Sequence, residues 1–126
     1  MHALIVDDSN FIREYLRQQL QRMGIASSQV GDGLEALQVL GGGEAFDLIL
    51  VDVNMPNMGG LECARVRQQR GLCPSAKLMM VTTEADHSFI QQALAFGADE
   101  FLMKPFTLQS LREKLLILGF DSVAVC

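Results

Sequence analysis

The residues of this chain that could do chemistry lie in four short stretches: ALIVDDS (3–9), LILVDVNMPNMGG (48–60), LMMVTT (78–83) and FLMKPF (101–106). Each is an apolar run that stops at a polar residue: Asp7 and Asp8, Asp52, Thr82, and Lys104 followed by Pro105. Clustered carboxylates repel one another unless something positive sits between them. Oxygen ligands without His or Cys suit a hard cation, and a few carboxylates plus waters fit Mg²⁺ better than an all-protein calcium cage. Magnesium held this way commonly serves a phosphate group. An aspartate can itself take a phosphoryl group covalently. In that chemistry Asp52 is the best acceptor, and the Asp7–Asp8 pair holds the metal. Thr82 hydrogen-bonds a phosphoryl oxygen, while Lys104 and the metal neutralise the moving charge.

These residues can meet only if the chain brings the ends of its apolar runs together. The runs are Ala3–Val6, a weaker Ile25–Val30, Leu48–Val51, Leu78–Val81 and Glu100–Met103. The first, third and fourth are apolar throughout, as in strands covered on both faces of a parallel sheet. Segments of helical spacing separate them. Phe11, Ile12, Tyr15, Leu16 and Leu20 mark the first, opened by Ser9 or Asn10 and closed near Gly24. Leu34, Leu37 and Leu40 mark the second; Leu61, Ala64 and Val66 mark a fainter third. Phe89, Ile90, Ala93, Leu94 and Phe96 mark the fourth, closed by Gly97. Leu108, Leu111, Leu115 and Leu118 mark the fifth, capped by Thr107 and stopped by Gly119. Five β–α units in series predict a doubly wound α/β domain with a parallel sheet. Ligands of such sheets bind at the carboxyl ends of the strands, where the four polar stops lie. Gly41-Gly42-Gly43 follows a helix instead of opening one, and reads as a plain connection.

The composition agrees. A length of 126 residues fits one domain, and 49% hydrophobic with 20% charged residues describes a globular chain. No apolar run approaches a membrane span, and the N-terminus lacks the basic region and length of a signal peptide, so a cytoplasmic location is expected. The net charge of −5 argues against a general nucleic-acid surface. Cys63, Cys73 and Cys126 lack paired metal spacing and read as reduced thiols. His2 and His87 have no acid–base constellation in the sequence and are expected at the surface.

The motifs IVDDS, LILVDVNMPNMGGLE, MMVTTEA and FLMKPFT, in this order and spacing, resemble the receiver domain of two-component response regulators, closest to the chemotaxis-type single-domain form. GDGLEAL, residues 31–37, looks like that family's turn and second helix. The resemblance runs from Ala3 to about Leu118. It implies a flavodoxin-like (βα)5 fold with strand order 2-1-3-4-5, and phosphorylation of Asp52 by a sensor histidine kinase or phosphotransfer protein. It implies Mg²⁺ held by Asp8, Asp52 and the backbone carbonyl of Asn54, with Asp7 acting mainly through a water. Thr82 and Lys104 match the phosphate-contacting positions, Thr82 and Phe101 the switch pair, and Pro105 a cis-proline position. Asn54 and Glu84 match the positions that flank water's approach and tune the phosphoryl lifetime. Both are polar, which predicts a short-lived phosphoryl group.

Two residues depart from the family pattern. Phe101 replaces the usual Tyr, so its rotamer would rest on packing alone. Thr83 stands where a small residue is common. A haloacid-dehalogenase-type phosphohydrolase would need a second acid two residues after the nucleophile, and Asn54 cannot carry that proton. A flavodoxin-like cofactor binder would need a Ser/Thr/Gly-rich phosphate loop where Asp7-Asp8-Ser9-Asn10 stands.

The expected output is the binding of a downstream protein through the fourth and fifth helices, whose apolar residues exceed one buried stripe, by a monomer or a weak phosphorylation-dependent dimer. Enzymatic activity beyond self-phosphorylation and autodephosphorylation is not expected. Residues 1–119 would form the receiver and 120–126 a tail, or the start of a linker if the domain belongs to a larger regulator.

Overall fold

The computed structural model describes residues 1–83 and 86–120. Five strands alternate with five helices: β1 (His2–Val6), α1 (Asn10–Arg22), β2 (Ala26–Val30), α2 (Gly33–Leu40), β3 (Leu48–Asp52), α3 (Gly60–Arg70), β4 (Lys77–Thr82), α4 (His87–Ala95), β5 (Glu100–Met103) and α5 (Leu108–Ile117). All neighbouring strands pair in parallel, in the order β2-β1-β3-β4-β5. The fold is the flavodoxin-like one that the resemblance implies.

Side chains alternate across a strand, so a strand packed on both faces must be apolar at every position. Leu4, Val6, Ile49, Val51, Leu78 and Met80 face one layer, with α2, α3 and α4. Ala3, Ile5, Leu48, Leu50, Met79 and Val81 face the other, with α1 and α5. Strand β2 is one edge of the sheet and pairs with β1. Its sequence ASSQV is half-exposed, which explains its weaker signal.

The helix signals hold in detail. Ser9 is the α1 cap, its hydroxyl accepting from the Ile12 amide at 3.2 Å. Asp32, Asp86 and Thr107 cap α2, α4 and α5 in the same way. Gly24, Gly97 and Gly119 all take positive φ just past their helices. Gly41–Gly43 is the connection from α2 to β3.

Several apolar residues of the predicted helical stripes are not core. Phe11 is 77% exposed, Leu34 and Leu94 are also exposed, and so are Leu116 and Ile117 beside the α5 stripe. The sheet takes one stripe per helix, and apolar residues outside it remain at the surface. His2 is half-buried rather than free: its ring packs on Phe46, Nδ1 pairs with Glu44 at 2.8 Å, and Nε2 lies 3.0 Å from the Ser28 hydroxyl. Phe120, expected to begin a tail, is buried in the α1–α5 layer and donates its amide to the Leu115 carbonyl at 2.8 Å. Glu84 and residues 121–126, with Cys126 among them, lie outside the described residues. Cys63 and Cys73 are free thiols, and burial pushes Cys63 up to about 11.

Leu50→Ala should cost about 2–5 kcal/mol, because Leu50 is 1% exposed in a close-packed layer. Leu116→Ala, at a half-exposed site, should stay within about 0.5 kcal/mol. Urea denaturation measures both, and equal losses would contradict this division of core from surface.

Candidate active site at the carboxyl edge of the sheet

The strand order reverses between β1 and β3, so chain connections leave a crevice above their carboxyl ends. Asp52 is the last residue of β3 and Asp7 follows β1 directly; both are buried, while Asp8 is exposed. Carboxylate oxygens of all three lie within 4.8 Å of one another. Lys104 follows β5 and reaches over the end of β4. Its ammonium sits 3.1 Å from Asp52 Oδ1 and 3.6 Å from Asp7 Oδ2. Thr82 ends β4, almost wholly buried, and its carbonyl accepts from the Lys104 amide at 2.8 Å. The residues named from the sequence as acceptor, metal holders and phosphate contacts therefore converge at one edge. Asn54 is exposed in the loop after β3, and the Lys104–Pro105 bond is cis.

Local sequence explains why these loops stay in place. A Cβ on Gly60 would lie 2.4 Å from the Asp52 carbonyl oxygen. The first residue of α3 thus rests on the acceptor's own backbone, an approach that only glycine permits. The Asp7 carboxylate accepts from the Ser9 amide at 2.9 Å. Arg13, one turn into α1, donates to the Asp7 carbonyl at 2.5 Å and also bonds Asn10 and Gln29. It ties the Asp7–Asp8 turn to both α1 and β2. Arg13 has no motif signature; only its place one turn beyond the acidic pair could have suggested it.

Burial raises the pKa of Asp7, and the charges of Asp52 and Asp8 add to this against the opposing Ser9 amide and Lys104. Burial pulls Lys104 down, but its hydrogen bond to Asp52 and the charges of Asp7 and Asp52 prevail, so it stays firmly an ammonium. Among the described residues, three carboxylates against one ammonium leave two negative charges uncompensated. An all-oxygen donor set with that deficit fits a hard divalent cation. Oxygens that lie within 4.8 Å of one another could converge on one such ion.

Phe101 is half-buried, with its ring 6.2 Å from that of Phe89 in an edge-on arrangement. The mouth of the site carries an apolar lip that the sequence stripe of α1 concealed. Phe11, Ile12, Tyr15, Pro105 and Phe106, together with Lys104, line a groove of about 300 Å³. Tyr15 and Phe106 hold it, their rings 6.1 Å apart.

The response regulator receiver domain model matches residues 3–116. A chemotaxis protein CheY homologue of Campylobacter jejuni is 34% identical over 116 residues, which cover 91% of this chain and 89% of that protein. The chemotaxis protein CheY4 of Vibrio cholerae superposes with a TM-score of 0.86 at 34% identity, covering 93% of this chain and 97% of that one. The receiver domain of a Pseudomonas aeruginosa sensor histidine kinase, solved with a magnesium ion in its active-site cleft, shares the fold. Its TM-score is 0.81 at 23% identity, over 94% of this chain and 97% of that one.

An acid with a raised folded pKa costs stability once ionised, and a cation at the cluster relieves that cost. Mg²⁺ at about ten times its dissociation constant should therefore stabilise the protein by about 1.4 kcal/mol. Asp8→Ala should lose most of that gain. Thermal melts with and without Mg²⁺ measure it, and equal shifts in both proteins would contradict this use of Asp8.

Proposed function

The chain belongs to the response regulator receiver-domain family, a CheY-like module of two-component signalling, and from that premise we propose that it is a Mg²⁺-dependent phosphoryl switch with Asp52 as acceptor. The observation that carries this reading is the Lys104 ammonium shared between Asp52 and Asp7 inside a cluster still two charges short of neutrality. Asp8, Asp52 and the Asn54 carbonyl would hold the cation, with Asp7 behind them through a water. Bound there, Mg²⁺ supplies counter-charge to the phosphoryl oxygens and to the carboxylates.

The donor is a phosphohistidine of a sensor kinase or phosphotransfer protein. A carboxylate oxygen of Asp52 bonds to phosphorus as the P–N bond breaks. The electron pair stays on the departing imidazole nitrogen, which takes up a proton. Lys104 is already within reach of the acceptor and neutralises the arriving charge. The Thr82 hydroxyl donates to a phosphoryl oxygen, a charge-assisted bond that draws it toward the site. That movement opens space beneath Phe101 and shifts the population of its rotamers. The surface of α4, β5 and α5, with Leu94, Met103 and Ile117 exposed on it, is then presented to a downstream protein in the cytoplasm. Loss of the signal is hydrolysis by an in-line water, and Asn54, exposed in the loop after the acceptor, is polar rather than an apolar lid, which keeps the lifetime short. Apart from accepting and shedding its own phosphoryl group, the domain performs no reaction.

The apolar lip gives the donor protein a place to rest beside the acceptor. A small phosphodonor has no use for it. Acetyl phosphate with Mg²⁺ should add one acid-stable, hydroxylamine-labile phosphoryl group to the wild type and none to Asp52→Asn; equal labelling by intact mass would remove Asp52 from its role. Phe11→Ala should label from acetyl phosphate at the wild-type rate but slow transfer from a phosphohistidine protein about tenfold. Equal slowing with both donors would place Phe11 in the chemistry instead of the docking.

A further inference from the structure

We propose that Asp32 and Asn57 form a latch that positions the acceptor loop for its cation, an inference that rests on the reading of Asp52 as a Mg²⁺-dependent phosphoryl acceptor. The loop from Val53 to Gly60 is pinned at its ends, because the Gly60 amide donates to the Val53 carbonyl at 2.9 Å and closes it into a ring. Asn54 lies on that ring. What holds the far side comes from α2. One Asp32 oxygen caps α2 by accepting from the Glu35 amide at 2.9 Å. The other accepts from the Asn57 side-chain amide at 2.8 Å. One carboxylate thus serves two elements, 25 residues apart in sequence. Both bonds favour its ionised form, and Asp32 is held below the usual carboxylate range by the Glu35 amide first and Asn57 second.

Two neighbouring features point the same way. The Gly33 amide donates to the Met58 carbonyl at 3.1 Å. A Cβ on Gly33 would meet Met58 Cγ and its carbonyl oxygen at 2.8 Å, so the first turn of α2 sits directly on the loop. Asn57 has φ +65°, a conformation that Asn tolerates better than other side chains. The other bonds that hold the ring, Gly60 to Val53, Gly33 to Met58, Met58 to Pro56 and Val53 to Val81, run between backbone atoms, whereas the Asp32–Asn57 bond acts through side chains that can be changed without disturbing the acceptor. Neither residue touches the reacting atoms. Both act through the backbone of the loop, and so through the Asn54 carbonyl.

The latch is tested by measuring the Mg²⁺ dissociation constant calorimetrically and the Mg²⁺ dependence of acetyl phosphate labelling, on the full chain. Asn57→Gly keeps the positive φ without strain and removes the amide. It should weaken Mg²⁺ binding about three- to tenfold, the range of one lost hydrogen bond, and leave the labelling rate at saturating Mg²⁺ within about twofold. Asp32→Ser keeps a capping hydroxyl but cannot serve both partners, and should do the same. The two changes together should be no worse than either alone, since they break one bond. In the exchanged pair, Asp32→Asn with Asn57→Asp, donor and acceptor trade places while α2 keeps a capping oxygen, and affinity should return. An unchanged dissociation constant in Asn57→Gly overturns the latch, as does an exchanged pair no tighter than Asn57→Gly. A wild type that neither binds Mg²⁺ nor labels would instead overturn the acceptor reading, and the latch with it.

Discussion

Three carboxylates held together at the ends of two adjacent strands, with one ammonium to answer them, are the constraint on which the rest of this molecule depends. Like charges at such distances separate unless the scaffold forbids it. The sheet forbids it here, because β1 and β3 are neighbours in register and Asp7 and Asp52 are buried where those strands stop. Lys104 arrives from β5, two strands from Asp52. Strands lie about 4.8 Å apart, so a lysine stem can bridge that gap where a shorter side chain would fall short. The pairing of the Lys104 amide with the Thr82 carbonyl anchors the base of that stem beside the end of β4.

In the proposed reading the same geometry would couple the site to a surface. Thr82 lies deep in the sheet, and the register of β4 and β5 pairs Met80 with Phe101 and Thr82 with Met103. In the proposed switch, a small shift of Thr82 would be felt in the layer where Phe101 meets Phe89. Phe101 has no hydroxyl to anchor it inside or outside, so the two positions of the proposed switch would differ by packing alone. Such a switch needs only a modest bias from the phosphoryl group to change its population.

Much of this was legible in the sequence, for physical reasons. Strands β1, β3 and β4 are buried on both faces, which forces unbroken apolar runs, and each run ends at a residue of the site. Edge strand β2 carries no such demand, and ASSQV hides it. Helical periodicity names apolar residues but not which of them the sheet accepts. Leu16 and Leu20 went to the core, while Phe11 went to the lip of the site. Leu94, Leu116 and Ile117 stayed at the surface for the same reason. The Asp32–Asn57 bond left no local trace, since it joins segments 25 residues apart through a cap that looks ordinary on its own.

The central claim is that the acid cluster, with Lys104 as its resident counter-charge, is a charge-matched site for one divalent cation. The most direct measurement is a Mg²⁺ titration followed by the carboxyl ¹³C resonances of the aspartates. The account predicts that Asp8 and Asp52 shift together along one saturating curve, that Asp7 follows them more weakly, and that sodium at equal ionic strength moves none of the three. Shifts spread evenly over all surface aspartates without saturation, or a saturating site that leaves Asp8 and Asp52 unmoved, would contradict it.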